Sequence, residues 1–138
     1  MVGLVLVSHS RTLVEGLRDI VAQFGGDDVR VALAGGTADG RLGTTADRIV
    51  AAIREVLGPS PAEADGAVVL FDFGSAALSL EIALEELSPV ERDRVRVPEA
   101  PLVEGAFAAG VQASIGANLD EVAAAAFAAN DLSKAIGG

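Results

Sequence analysis

Cysteine is absent from the 138 residues, so neither a disulfide nor a thiolate metal site can form. Tryptophan and tyrosine are absent too, and five phenylalanines are the whole aromatic complement. The core must therefore be built from Val, Leu, Ile and Ala. A single histidine leaves any metal centre dependent on carboxylates, and none cluster in loops where ligands would be needed. Positive charge is scarce: 10 basic residues face 20 acidic ones, a formal net charge of −10. No basic patch of the kind a nucleic-acid binder presents is visible, and the plain meaning of the acidity is solubility. Long apolar runs are also missing. The opening, residues 1–7, is far too short to span a bilayer and lacks the basic start and cleavage site of a signal peptide. These absences point to a cytoplasmic protein with no membrane segment, no metal and no cofactor.

What is present is a strongly patterned chain, 51% hydrophobic and of a length that suits one domain with one core. Residues 2–7 (VGLVLV) form an apolar run without helical period, which reads as a strand buried on both faces. After the turn Ser8-His9-Ser10, apolar residues at Leu13, Val14, Leu17, Ile20, Val21 and Phe24 mark one face of a helix that Gly25-Gly26 ends. A second strand is expected over 28–34, then a glycine-rich loop over 35–43, then a helix capped by Thr44. After a break at 58–61 come a third strand over 66–71 and a helix over about 75–87, stopped by Ser88-Pro89. A fourth strand is expected over 94–97. Two helices follow, at about 101–114 and 119–130, the second opened by a capping box of Asn118 and Glu121. Residues 1–132 read as the domain and 133–138 as a frayed tail or truncated linker.

Such alternation implies a parallel sheet with helices on both faces. The flavodoxin-like order 2-1-3-4, doubly wound, has its switch point between strands 1 and 3. Ligands bind such sheets beyond the carboxyl ends of the strands at that point. His9 follows strand 1 and Asp72 follows strand 3, so the order brings them into one crevice. A neutral imidazole is a good nucleophile toward phosphorus, and a carboxylate on its other ring nitrogen would fix the tautomer and steady the charge that builds. The helix beginning near Arg11 directs its N-terminus to the same place, favouring an anion. Ser8 and Ser10 add hydroxyls beside it. Plainer readings stand alongside: His9 as a surface or capping residue, Asp72 as a turn residue or N-cap, and Gly35-Gly36 as loop freedom. Phe71 and Phe73 are expected in the core. The small residues Gly105, Ala106, Ala109, Gly110 and Ala113 suit either packing on the sheet or a dimer or docking surface, and Glu99 and Glu104 are expected in solvent. There is no phosphate loop, dinucleotide fingerprint or nucleophile elbow. The acidic pair that a receiver domain carries after strand 1 is replaced by Ser8-His9-Ser10. The residues alone support a phosphate or small-molecule site around His9.

Three segments in order, VGLVLVSHS at the start, LFDFGSAALSLE (70–81) and APLVEGAFAAG (100–110), resemble the mannose-type EIIA family. Within it they resemble the EIIA domain of DhaM, the phosphotransferase subunit of phosphoenolpyruvate-dependent dihydroxyacetone kinases. The resemblance runs from residue 2 to about 130. It implies a phosphotransferase component in which His9 takes a phosphoryl group from the carrier HPr and passes it to ADP held in the kinase subunit DhaL. The ATP formed would then phosphorylate dihydroxyacetone in DhaK. It also implies Asp72 as the assisting carboxylate, Gly74 and Ser75 beside Ser8, Ser10 and Arg11 at the phosphate, and a homodimer. Mannose-type transporter EIIA domains usually carry a Trp-Gly-Gly-Ser-Pro-like stretch after the aspartate. Here Asp72-Phe73-Gly74-Ser75-Ala76 stands instead, which favours the dihydroxyacetone branch over a transporter EIIA. A non-catalytic regulatory module of the same fold is the alternative from another functional class.

Overall fold

The computed structural model describes residues 1–59 and 65–136. Part of the expected break, residues 60–61, and the last two residues of the expected tail, 137–138, lie outside the described residues. Four strands, β1 (Gly3–Ser8), β2 (Val31–Gly35), β3 (Ala67–Phe71) and β4 (Val95–Arg96), form one sheet in the order β2-β1-β3-β4. All three pairings are parallel, the doubly wound arrangement that the strand–helix alternation predicts.

Alternation along the strands divides the core into two layers. Val5, Val7, Ala67 and Val69 face one side of the sheet, against α2 (Ala46–Leu57) and α3 (Gly74–Glu86). Leu4, Leu6, Val68 and Leu70 face the other, against α1 (Arg11–Gly25), α5 (Leu102–Ser114) and α6 (Leu119–Ala128). With both faces covered, every residue of β1 is buried, which is why it reads as an unbroken apolar run. Each fully buried aliphatic side chain contributes roughly 1.5–3 kcal/mol.

Several boundaries move, each for a local reason. Helix α2 starts one residue later than expected. Its N-cap is Thr45, which makes no side-chain cap, while the Thr44 hydroxyl bonds Ser79 of α3 at 2.8 Å. The buried face of α1 is Val14, Leu17, Val21 and Gly25, and Leu13, Ile20 and Phe24 face outward, Phe24 at 61% exposure. Strand β2 begins at Val31 rather than at 28, and β4 keeps only two residues. A short helix, α4 (Pro89–Asp93), occupies the place where Ser88-Pro89 was expected only to stop a helix. Ser88 and Glu91 close a capping box around it, with Pro89 in its first turn. The capping box at Asn118 and Glu121 is present as expected, and α6 ends in a 3-10 turn, Ala129–Asp131.

The small residues of α5 are buried. They serve packing: a Cβ on Gly25 would meet the Gly110 carbonyl oxygen at 3.0 Å, so α1 and α5 approach backbone to backbone. Gly105, Ala106, Ala109, Gly110 and Ala113 therefore form no outward surface. Among the described residues no helix is long and apolar enough to cross a membrane.

Candidate active site

Strands β1 and β3 are neighbours in register, with Val7 opposite Phe71. The turns that leave their carboxyl ends, Ser8-His9-Ser10 and Asp72-Phe73, consequently meet. The Asp72 carboxylate is the centre of the meeting. Its Oδ2 accepts from the His9 backbone N–H at 2.9 Å and from the Ser8 hydroxyl at 2.8 Å. Its Oδ1 accepts from the Phe73 N–H at 2.7 Å and faces His9 Nδ1 at 3.0 Å. Burial pushes the Asp72 carboxyl up, but the donors outweigh it: the His9 N–H foremost, then Phe73 N–H, the Ser8 hydroxyl and the ring. They hold it below the ordinary carboxylate value.

That ionised state decides the tautomer. A carboxylate only accepts, so Nδ1 carries a proton, and in the neutral ring Nε2 is the nitrogen that keeps a lone pair. The Ser75 hydroxyl lies 2.8 Å from Nε2 and donates to it in that neutral form. The Phe73 ring packs on the imidazole with centroids 5.3 Å apart and planes tilted by 45°. At 66% exposure Phe73 is no core residue, contrary to expectation, whereas Phe71 packs partly buried against the core.

Backbone contacts fix the turn that carries His9. The Gly36 N–H donates to the Ser8 carbonyl at 3.1 Å, and the Gly43 N–H to the His9 carbonyl at 2.9 Å. Gly35 is required for close approach: a Cβ there would lie 2.6 Å from Val14 Cγ2 and 2.7 Å from Arg11 Cα. Gly36 follows with φ +71°, a left-handed conformation that suits glycine. The pair thus seats the start of α1 against the end of β2, beyond supplying loop freedom.

Two helices begin at this point. Ser10 caps α1, its Oγ accepting the Leu13 N–H at 3.2 Å. Helix α3 starts at Gly74, directly after Asp72-Phe73. The first amides of each helix lack intrahelical acceptors, so both N-termini present N–H groups and positive dipole ends to the crevice that holds Nε2. A cleft of about 430 Å³ opens there, lined by Ser8, His9, Ser10, Asp72 and Phe73 together with Leu13, Leu42, Leu102, Val103 and Glu104. Its wall is mainly apolar, which restricts water around an imidazole while leaving the ring reachable.

The structure brings His9 and Asp72 together as the strand order suggested, adds Ser75, which the resemblance implied, and starts α3 at Gly74 beside them. It divides the remaining candidates differently. The Ser8 hydroxyl is fully buried and spent on Asp72 and the Ser10 N–H, so it offers nothing to a phosphate. The Ser10 hydroxyl is a helix cap. Arg11 lines a separate groove with Glu15, Arg18 and Arg48. Glu99 is exposed as expected, whereas Glu104 lines the cleft and pairs with Lys134 at 3.1 Å. The sequence reading missed Leu13, Leu42, Leu102 and Val103. The available signal was position alone: Leu102 and Val103 open the helix after β4, at the carboxyl edge of the sheet.

Fold and site together define a class: a doubly wound α/β domain built around a switch-point histidine whose Nδ1 is held by a carboxylate. The EIIA-man profile, described as PTS system fructose IIA component, matches residues 3–123. The chain belongs to the EIIA-man family and, within it, to the DhaM group. It is 38% identical over 122 residues to the PEP-dependent dihydroxyacetone kinase 2 phosphoryl donor subunit DhaM of Listeria innocua, covering 88% of this chain and 94% of that one. It is 44% identical over 125 residues to the phosphoryl donor subunit DhaM of Escherichia coli (strain K12), covering 88% of this chain but only 25% of that longer relative. The chain thus spans about a quarter of the length of the Escherichia coli protein. A crystal structure of a protein of unknown function superposes with a TM-score of 0.82 at 29% identity, over 99% of this chain and 98% of the other. The resemblance carried by the three segments is borne out.

Proposed function

We propose that the chain is a phosphohistidine carrier that takes a phosphoryl group from HPr on His9 Nε2 and delivers it to ADP bound in the kinase subunit DhaL. The observation that carries this reading is the 3.0 Å contact between His9 Nδ1 and Asp72. In the neutral ring it leaves Nε2 as the nitrogen with the lone pair, at the mouth of the cleft and beside two helix N-termini. Relatives named as phosphoryl donor subunits support the same direction of transfer.

In the forward step the Nε2 lone pair attacks phosphorus, the Nε2–P bond forms, and the bond from phosphorus to the donor nitrogen breaks. The Ser75 hydroxyl, which caps Nε2 at 2.8 Å, rotates aside and then donates to a phosphoryl oxygen, with the Gly74 and Ser75 amides. The ring keeps its Nδ1 proton and becomes cationic, and Asp72 compensates that charge. In the second step a terminal oxygen of ADP attacks phosphorus and the electron pair returns to Nε2. The ATP so formed serves dihydroxyacetone phosphorylation in DhaK. The family resemblance adds a homodimer to the proposal, and the composition of the sequence adds a cytoplasmic location.

The test is intact-mass analysis after incubation with phosphoenolpyruvate, Enzyme I and HPr, followed by ADP-loaded kinase subunit. One acid-labile phosphate should load and then leave. His9→Ala should keep its melting temperature and never load. Loading of that variant, or a folded wild type that never loads, overturns the reading.

A further inference from the structure

Ser8 is the one polar side chain that is fully buried among the described residues. A hydroxyl in that position has to satisfy both its hydrogen and its lone pairs inside the protein. It does so by linking two elements: it accepts the Ser10 N–H at 3.0 Å and donates to Asp72 Oδ2 at 2.8 Å. The first contact belongs to the turn that carries His9, and the second to the carboxylate that orients the ring. Asp72 needs this partner. Its Oδ1 serves the ring and the Phe73 N–H, so the rotation of the carboxylate about its Cβ–Cγ bond is set jointly by these and by what holds Oδ2. Among the described residues, Oδ2 is held by the His9 N–H and the Ser8 hydroxyl.

We propose that Ser8 is a positioning residue for the phosphoryl transfer: its buried hydroxyl locks the Asp72 carboxylate against the His9 turn, and thereby holds the ring in the tautomer that frees Nε2. This inference rests on the carrier reading for its functional consequence but not for its structural one. It replaces the role of phosphate ligand expected for Ser8 from sequence. The carboxylate is also held low in part by this hydroxyl, so the contact favours the ionised acceptor that the tautomer requires.

A pair of variants of equal shape isolates the hydroxyl. Ser8→Thr keeps it and Ser8→Val lacks it, both β-branched and suited to a strand; Ser8→Ala serves if the added bulk disturbs the fold. The readouts are the ¹⁵N spectrum of the imidazole, unambiguous because the chain has one histidine, and the rate of phosphate loading from phosphorylated HPr. Wild type and Ser8→Thr should show one dominant tautomer with the proton on Nδ1. Ser8→Val and Ser8→Ala should move both ring nitrogens toward mixed-tautomer shifts and load about tenfold more slowly, the factor of one hydrogen bond to a charged group. A wild-type spectrum in the variants without the hydroxyl overturns the proposal, and so does equal damage in Ser8→Thr and Ser8→Val. If wild type itself never loads phosphate the carrier reading falls, while the ring spectra still decide the role of Ser8.

Discussion

Replacing Asp72 by asparagine removes one charge and turns one acceptor oxygen into a donor, with almost no change in shape. The geometry makes this substitution severe. Each carboxylate oxygen receives a backbone N–H, that of His9 on Oδ2 and that of Phe73 on Oδ1. Whichever way the amide turns, its NH₂ therefore confronts an N–H donor. The less costly orientation puts NH₂ at the Oδ2 position, where the Ser8 hydroxyl can rotate to accept; the ring then keeps its tautomer but loses the negative charge that balances it. The other orientation sets NH₂ against Nδ1 and drives the proton to Nε2, removing the nucleophile. A buried donor left without an acceptor costs about 1–3 kcal/mol, so Asp72→Asn should lose about that much stability in denaturant unfolding. Loss of the charge that stabilises the cationic ring should slow phosphate acceptance by about 10²–10³-fold, or roughly 3–4 kcal/mol in the barrier. Rapid-quench measurement of transfer from phosphorylated HPr reads this directly. A folded Asp72→Asn protein that accepts phosphate within threefold of the wild-type rate would refute the assignment of Asp72 and reduce it to a turn residue.

Two further outcomes follow from contacts away from the ring. Arg54 bonds Glu91 through Nε at 2.9 Å and Nη2 at 3.2 Å. The Arg54 side chain foremost, with the Ser88 N–H, holds the Glu91 carboxyl at about 2, against an ordinary value of 4.5. A depressed carboxyl contributes stability above its unfolded value and loses it as pH falls through the folded one. Glu91→Gln keeps the capping box but not the ion pair, and should be less stable than wild type by about 1 kcal/mol at pH 7, given solvent screening. In urea titrations that gap should close between about pH 4.5 and 2; a gap that does not narrow there contradicts the ion-pair account. Gly35→Ala should cost about 1–3 kcal/mol through overpacking against Arg11 Cα and slow phosphate acceptance, because α1 cannot move away from β2 without shifting the turn of His9. Unchanged stability by thermal unfolding would show that the start of α1 has slack.

Topology was legible because the signals for it are periodic. Apolar β-branched runs between amphipathic stretches specify parallel strands with crossovers, and the switch point then follows from the strand order. The pairing of His9 with Asp72 came with it, since each sits within two residues of a strand end. Helix α4 was equally available, as Ser88, Pro89 and Glu91 spell a capping box, but a proline after serine reads first as a stop signal. The division of labour among hydroxyls was not legible. Ser8 and Ser10 flank the histidine symmetrically in sequence, yet Ser8 is the last residue of a buried strand and Ser10, two residues on, is the N-cap of α1. Within a strand residues 8 and 10 would share a face; the chain leaves the strand after Ser8, which separates the two side chains, and the position of Asp72 decides which hydroxyl it captures. The outward apolar face of α1 was hidden for a similar reason. Leu13, Ile20 and Phe24 share the helical spacing of a core stripe, and composition cannot tell which of two adjacent stripes meets the sheet.

The site also resolves a conflict in the charge of the molecule. A net charge of −10 repels a phosphoryl anion at long range, and Asp72 places one of those negative charges beside the reacting ring. Neither opposes the chemistry locally. Asp72 lines the cleft, but its two oxygens are occupied by four donors, the ring among them, which offset its charge toward an incoming phosphate, and through the imidazole that charge raises nucleophilicity. The amides at the starts of α1 and α3 supply an opposing field at short range, and among the described residues no Lys or Arg lines the cleft, Lys134 being paired with Glu104 at its edge. Arg11 is the nearest sequence candidate for such a cation, and the structure turns it into another groove. A carrier has to bind its cargo weakly enough to lose it in the next step. Backbone dipoles at Nε2, with a hydroxyl at Ser75 rather than a guanidinium, are suited to that requirement.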